Sequence, residues 1–151
     1  MEKFAIHPSI LASLEKLGFR ELTEPQRRAI PEIMAGKHVL LVAPTGIGKT
    51  EAAILPILHR ILVEKPEPVS CLYITPLRAL NRDMLRRMTF FGEELGVRVA
   101  VRHGDTSQKE RAAQTRHPPD ILITTPETFQ ILFTGRLVRD QLRSVKWVVI
   151  D

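Results

Sequence analysis

Val39-Leu40-Leu41-Val42-Ala43-Pro44-Thr45-Gly46-Ile47-Gly48-Lys49-Thr50 is an apolar run that leads into a turn holding two glycines, a lysine and a hydroxyl. Gly46 and Gly48 can take backbone angles closed to other residues, so successive N–H groups can converge on phosphate oxygens. Lys49 has the length to reach the β and γ phosphates of a nucleoside triphosphate. Thr50, opening a helix whose positive dipole end faces the anion, offers its hydroxyl to Mg2+. Val39 to Ala43 predicts a buried strand and Glu51 to Val63 a helix, which supplies the strand, loop, helix order that a phosphate loop requires. Such loops usually begin with glycine where this chain has Ala43; the departure relaxes the first position and leaves Pro44, Thr45, Gly46, Ile47, Gly48, Lys49 and Thr50 as the cradle. A glycine-rich turn that merely precedes Lys-Thr would not need that flanking order. ATP with Mg2+ is the expected ligand.

Outward from this stretch, further strand-like runs are Cys71 to Thr75, Val97 to Val101, Ile121 to Thr125 and Trp147 to Asp151, each mostly non-alternating, as strands buried on both faces are. Between them Leu77 to Leu95, Ser107 to Arg116 and Glu127 to Phe133 read as helices, giving repeated βαβ crossovers. The expected fold class is α/β, a doubly wound, mainly parallel sheet. Ligands of such sheets bind at the carboxyl ends of the strands, where the phosphate loop, Thr75-Pro76, His103-Gly104, Thr125-Pro126 and Asp151 all fall. Residues 1–36 form a helical preamble, with Ser9 to Leu17 and Glu24 to Met34 as its helices, and residues 37–151 form the sheet domain.

With 151 residues, 44% hydrophobic and 26% charged, the chain can build one ordinary core. The basic balance, 22 Lys+Arg against 17 Asp+Glu, favours a polyanionic partner without requiring one. Cys71 is the only cysteine, which excludes an intrachain disulfide framework and a CxxC metal pair, and the histidines lack metal-ligand spacing. A reducing, intracellular (cytoplasmic) compartment is expected. Met1 to Phe4 opens no long apolar signal region, and no stretch has transmembrane length.

Trp147-Val148-Val149-Ile150-Asp151 is an apolar strand ending in an acid, the arrangement by which a Walker B aspartate reaches Mg2+ opposite Thr50; a solvated strand end is the plain alternative. The sequence stops before the glutamate that such a motif would use to polarise water. Thr23-Glu24-Pro25-Gln26 places a carboxamide whose donor and acceptor match the adenine edge. Equally, Thr23 can cap a helix on which Gln26 is simply exposed. Thr75-Pro76 with Arg78, and Thr124-Thr125-Pro126-Glu127, each set a hydroxyl and a helix N-terminus at a strand end, able to hold a nucleic-acid phosphate. His103-Gly104-Asp105-Thr106 adds a flexible glycine loop. Helix capping explains each alone; three on one sheet edge favour a groove that tracks the backbone of a single strand. Arg82, Arg86 and Arg87 read as a solvated helix face.

The order of TEPQ, APTGIGKT, TPLRAL, HGDTS, TTPE and VVID resembles the first RecA-like motor domain of a superfamily 2 helicase, truncated at the Walker B strand. HGDT and TTPE are most similar to the large helicase-related (Lhr) group, and DEAD-box RNA helicases differ at several motifs. The resemblance runs from Phe19 to Asp151. It implies an ATP-dependent translocase on single-stranded DNA or RNA, or a hybrid, moving 3′ to 5′ and unwinding duplexes. It implies that Gln26 reads adenine and that Gly46, Gly48, Lys49 and Thr50 bind phosphates and Mg2+. Asp151 would hold Mg2+ through water, with Lys49 and Asp151 the catalytic pair. Thr75, Pro76, Arg78, His103, Gly104, Thr125 and Pro126 would lie along the strand. It also implies a second motor domain whose arginines complete the site, so that this stretch alone is expected not to turn nucleotide over. A DEAD-box-like RNA helicase is the alternative within the superfamily; a phosphate-loop ATPase that ignores nucleic acid, and a non-catalytic binding fragment, are the alternatives from other classes.

Overall fold

The computed structural model describes residues 5–151. Met1 to Phe4, on which the reading of no export signal rests, lie outside the described residues. The chain divides into two compact units, Met1–Lys65 and Pro66–Asp151, a boundary later than the 36/37 division read from the sequence.

The first unit is helical: α1 (Pro8–Lys16), α2 (Glu24–Met34) and α3 (Lys49–Glu64). Its core is built by Ile10, Leu14, Ile30, Ile54, Leu55 and Leu58, all fully buried. These fall at helical spacing within each helix, so one stripe of each faces inward. The α1 start is tied to α3 by His7, whose N–H donates to His59 Nδ1 at 3.0 Å. Residues 38–43 do not form the expected strand: Leu40 is 90% and Val42 85% exposed, and no ladder forms there. A strand exists only where its backbone groups find a paired neighbour, and an apolar run cannot supply that by composition.

The second unit holds a four-stranded, all-parallel sheet of β1 (Cys71–Ile74), β2 (Val99–Arg102), β3 (Ile121–Thr124) and β4 (Trp147–Ile150), in the order β2-β3-β1-β4. The helices α4 (Arg82–Leu95), α5 (Gln108–Arg116), α6 (Pro126–Leu132) and α7 (Arg136–Gln141) make the crossovers. The chain steps one way from β1 to β2 and the other way through β3 to β4. Right-handed crossovers therefore put α4 on one face of the sheet and α5, α6 and α7 on the opposite one, the doubly wound arrangement. On the α6–α7 face Leu72, Ile74 and Leu122 pack with Leu132, Phe129, Val138 and Leu142. On the α4 side a Cβ at Gly92 would meet the Val97 carbonyl at 2.7 Å, so the helix rests against the entry to β2. The β1 and β3 positions are buried throughout, as their non-alternating sequence requires.

Two local departures have identifiable causes. The helix expected from Leu77 begins only at Arg82, because Asn81 caps it by accepting the Met84 N–H at 2.8 Å, and Leu77–Ala79 forms a separate 3-10 turn. Helix α7 is not among the expected elements: six residues behind Gly135, half of them charged, carry too little periodicity to read. Cys71 is buried in β1, and burial pushes its thiol up to about 12, so it is a packing residue and not a nucleophile.

Candidate nucleotide and nucleic-acid sites

In the first unit the phosphate loop is shaped by its glycines. Gly46 has φ +78° and Gly48 φ +85°, both left-handed, and Gly48 is the residue from which α3 starts. Ala43, Pro44, Thr45, Gly46 and Ile47 therefore curl over the N-terminal end of a 16-residue helix, whose unpaired N–H groups and dipole favour an anion. Lys49 Nζ is folded back on the loop, donating to the Ala43 carbonyl at 2.7 Å and the Pro44 carbonyl at 3.3 Å. Any group that binds Lys49 Nζ from outside the loop has to replace these bonds.

Gln26 occupies a position that neither reading of it from the sequence anticipates. It is fully buried in α2, where its Oε1 accepts the Thr23 N–H at 2.9 Å and its Nε2 donates to the Gly48 carbonyl at 3.1 Å. Thr23 Oγ1 donates to the Ile47 carbonyl at 3.0 Å. The N-terminus of α2 thus holds the last two residues of the loop through two carbonyls. No sequence signal shows this, because it depends on which helix end meets the loop.

In the second unit the parallel register aligns Ile74 with Thr124 and Ile150, and Arg102 with Thr124, so the segments that follow the strands emerge on one edge. Across four strands that edge spans about 14 Å. Arg78, Gly104 and Pro126 are exposed there, and Pro76 and His103 are half-buried. Thr75 and Thr125 are not surface groups: Thr75 is fully buried and Thr125 is 4% exposed. The Thr125 hydroxyl caps α6 by accepting the Thr128 N–H. The Thr75 hydroxyl points to Asp151 Oδ2 at 3.4 Å, and the buried Tyr73 hydroxyl donates to the same oxygen at 3.1 Å. Asp151 itself is exposed, its N–H bonded to the Ile74 carbonyl at 2.9 Å.

The 103–106 loop, read as flexible, is braced by Arg111, a residue in no motif. The Arg111 guanidinium donates to the Thr106 carbonyl at 2.9 Å, the His103 carbonyl at 3.1 Å and the Gly104 carbonyl at 3.2 Å. Thr106 Oγ1 accepts the His103 N–H, and His103 Nδ1 accepts the Asp105 N–H. Ser107 then starts α5 with a capping box, and its N–H and hydroxyl hold the Glu110 carboxyl below the usual range. Desolvation, then the charge of Arg111, lowers the Arg102 guanidinium from its ordinary value.

Whether Mg2+ fits can be judged from the oxygens themselves. Thr50, half-buried in the first turn of α3, and the Asp151 Oδ1 atom have no protein hydrogen-bond partner among the described residues. Hard, unspent oxygens of this kind suit Mg2+, which takes few protein ligands and completes its shell with phosphate and water. Among the described residues no helix is long and apolar enough to cross a membrane.

The chain is 40% identical over 149 residues to the ATP-dependent helicase Lhr-Core of Methanothermobacter thermautotrophicus, covering 88% of this chain and 17% of that protein. It is 38% identical over 154 residues to the Lhr helicase/uracil glycosylase of Escherichia coli, covering 88% of this chain and 10% of that one. It therefore spans less than a fifth of the length of either relative. Among solved structures it is similar to Mycobacterium smegmatis helicase Lhr bound to ssDNA and AMP-PNP. That match has a TM-score of 0.75 and 32% identity, over 95% of this chain and 20% of that one. The DUF1998 helicase MrfA bound to DNA and AMPPNP matches with a TM-score of 0.85 and 28% identity, over 99% of this chain and 21% of that one. The model of the DEAD/DEAH box helicase family matches residues 23–151, nearly the whole chain, and the chain belongs to that family.

Proposed function

We propose that this chain is the nucleotide-binding part of an Lhr-type motor that uses ATP and Mg2+ to move 3′ to 5′ along single-stranded DNA and unwind duplexes ahead of it. The observation that carries the reading is the phosphate loop: two left-handed glycines immediately before Lys49 and the long α3. Gly46, Ile47 and Gly48 supply backbone N–H groups to the phosphates, and Lys49 exchanges its two loop carbonyls for phosphate oxygens. By motif position Thr50 and Asp151 would each offer an oxygen to Mg2+, whose chemistry when bound is to neutralise charge on the transferring phosphoryl group. Gln26 is the adenine reader in this account, releasing one of its internal bonds to do so.

Along the sheet edge Arg78, the Gly104 N–H and the α6 N-terminus behind Pro126 contact the strand's phosphates, while Thr75 and Thr125 keep that edge in shape from within. The division into residues 1–36 and 37–151 is a functional one here, an adenine-side segment and a motor domain. The names of the relatives support the assignment.

The test is the ATPase rate of the chain at the full length of its curated relatives, with and without single-stranded DNA or RNA, using Lys49→Ala as the blank. Stimulation by a strand, with DNA the better, is expected. Lys49-dependent hydrolysis that no strand stimulates would overturn the reading in favour of a phosphate-loop ATPase acting elsewhere.

A further inference from the structure

The sheet order brings β1 and β4 side by side, with Ile74 aligned with Ile150. The next pair in that parallel register is Thr75 with Asp151, and alternation puts Tyr73, Thr75 and Asp151 on one face. Leu72 and Ile74 belong to the opposite face, packed under α6 and α7. Tyr73 is 1% exposed and Thr75 0%, so both hydroxyls sit in a low-dielectric setting, where a bond to a charged acceptor is stronger than in water. Both point at Asp151 Oδ2, Tyr73 at 3.1 Å and Thr75 at a longer 3.4 Å. The backbone of Asp151 is fixed as well, by its N–H on the Ile74 carbonyl. The carboxylate is held from inside by one oxygen, and Oδ1 is left over on an exposed residue.

We propose that Tyr73 and Thr75 are positioning residues that set the Asp151 carboxylate for Mg2+, Tyr73 bearing the larger share. The proposal rests on the ATP–Mg2+ reading of Asp151. A free aspartate at a strand end samples several rotamers, and any ligand must first select one. Two hydroxyls on one oxygen remove that freedom and keep the carboxylate aimed. Outer partners of this kind commonly change metal affinity by about 10–100-fold when removed. Thr75, which the sequence places on the nucleic-acid track, thereby acts on the metal side of the motor.

The experiment is Mn2+ binding to the chain at the full length of its relatives, saturated with a non-hydrolysable ATP analogue and followed by electron paramagnetic resonance. Metal-free nucleotide binding and thermal melting are measured alongside. Tyr73→Phe, which removes the hydroxyl and little else, is expected to weaken Mn2+ binding about 10-fold with metal-free nucleotide affinity unchanged. Thr75→Val weakens it less, and Thr75→Ser restores the wild-type titration. Titrations of Tyr73→Phe and Thr75→Val that match wild type, while Asp151→Ala shifts the curve, would overturn the positioning role and leave the Mg2+ role of Asp151 standing. An Asp151→Ala curve that does not shift would overturn both.

Discussion

Gln26 Nε2 donates to the Gly48 carbonyl at 3.1 Å, and a Cβ placed on Gly48 would stand 2.3 Å from that same nitrogen. Gly48 is thus required twice, by its left-handed φ and by the side chain that lies against it. Gly48→Ala is expected to cost about 1–2 kcal/mol from backbone strain alone. It should also displace Gln26 and lower nucleotide affinity at least tenfold in a fluorescent-ATP titration. Adding Gln26→Ala relieves the clash and not the strain, so the double variant recovers part of the lost melting temperature and little of the affinity. A Gly48→Ala protein that binds nucleotide normally would show that the loop does not need this geometry.

Arg111 makes a prediction about the strand-binding edge. Its three bonds to the carbonyls of Thr106, His103 and Gly104 hold a loop that otherwise contains a glycine and two short polar residues. Arg111→Ala should speed amide exchange across 103–106 and weaken single-strand binding, with nucleotide affinity unchanged. Arg111→Lys, a single donor centre in place of a fork, should rescue little. Exchange rates in the loop equal to wild type would show that it is held by other bonds.

His59 gives a pH dependence. Burial, then the nearby charges of His7 and Arg60, holds its imidazole below the usual histidine range, against an opposing pull from Glu64. Its neutral Nδ1 accepts the His7 N–H. With the folded-state value depressed, the unfolded chain takes up the proton first as pH falls below about 6.5. Stability from this contact is therefore complete above that pH and is lost as pH falls through the folded-state value. Thermal melts should drop on going from pH 7.5 to 5.5, and His59→Gln should flatten that part of the profile. An unchanged profile in the variant would exclude His59 as its source.

How much of this was open to reading follows from the kind of signal each feature leaves. The phosphate loop is local, since glycine spacing, Lys49 and the helix behind them lie on one stretch, and the structure has the left-handed turns there. Strands β1 to β4 were legible from runs of apolar residues, within a residue or two at their ends. The 39–43 run looks the same and is no strand, because composition says nothing of a ladder partner. The partners of Thr75, Gln26 and Arg111 depend on which elements become neighbours: β4 beside β1, the α2 start against the loop, α5 behind His103. A lone Thr-Pro at a strand end reads as surface chemistry until the register shows that Asp151 takes its hydroxyl.

The most direct test of the central claim is unwinding by the chain at the full length of its curated relatives, on duplexes with a 3′ or a 5′ single-stranded tail. Displacement of the 3′-tailed duplex is expected with ATP and Mg2+, none with a non-hydrolysable analogue, and none by Lys49→Ala. Displacement of neither duplex, while Lys49-dependent ATP hydrolysis proceeds at its normal rate, would contradict it.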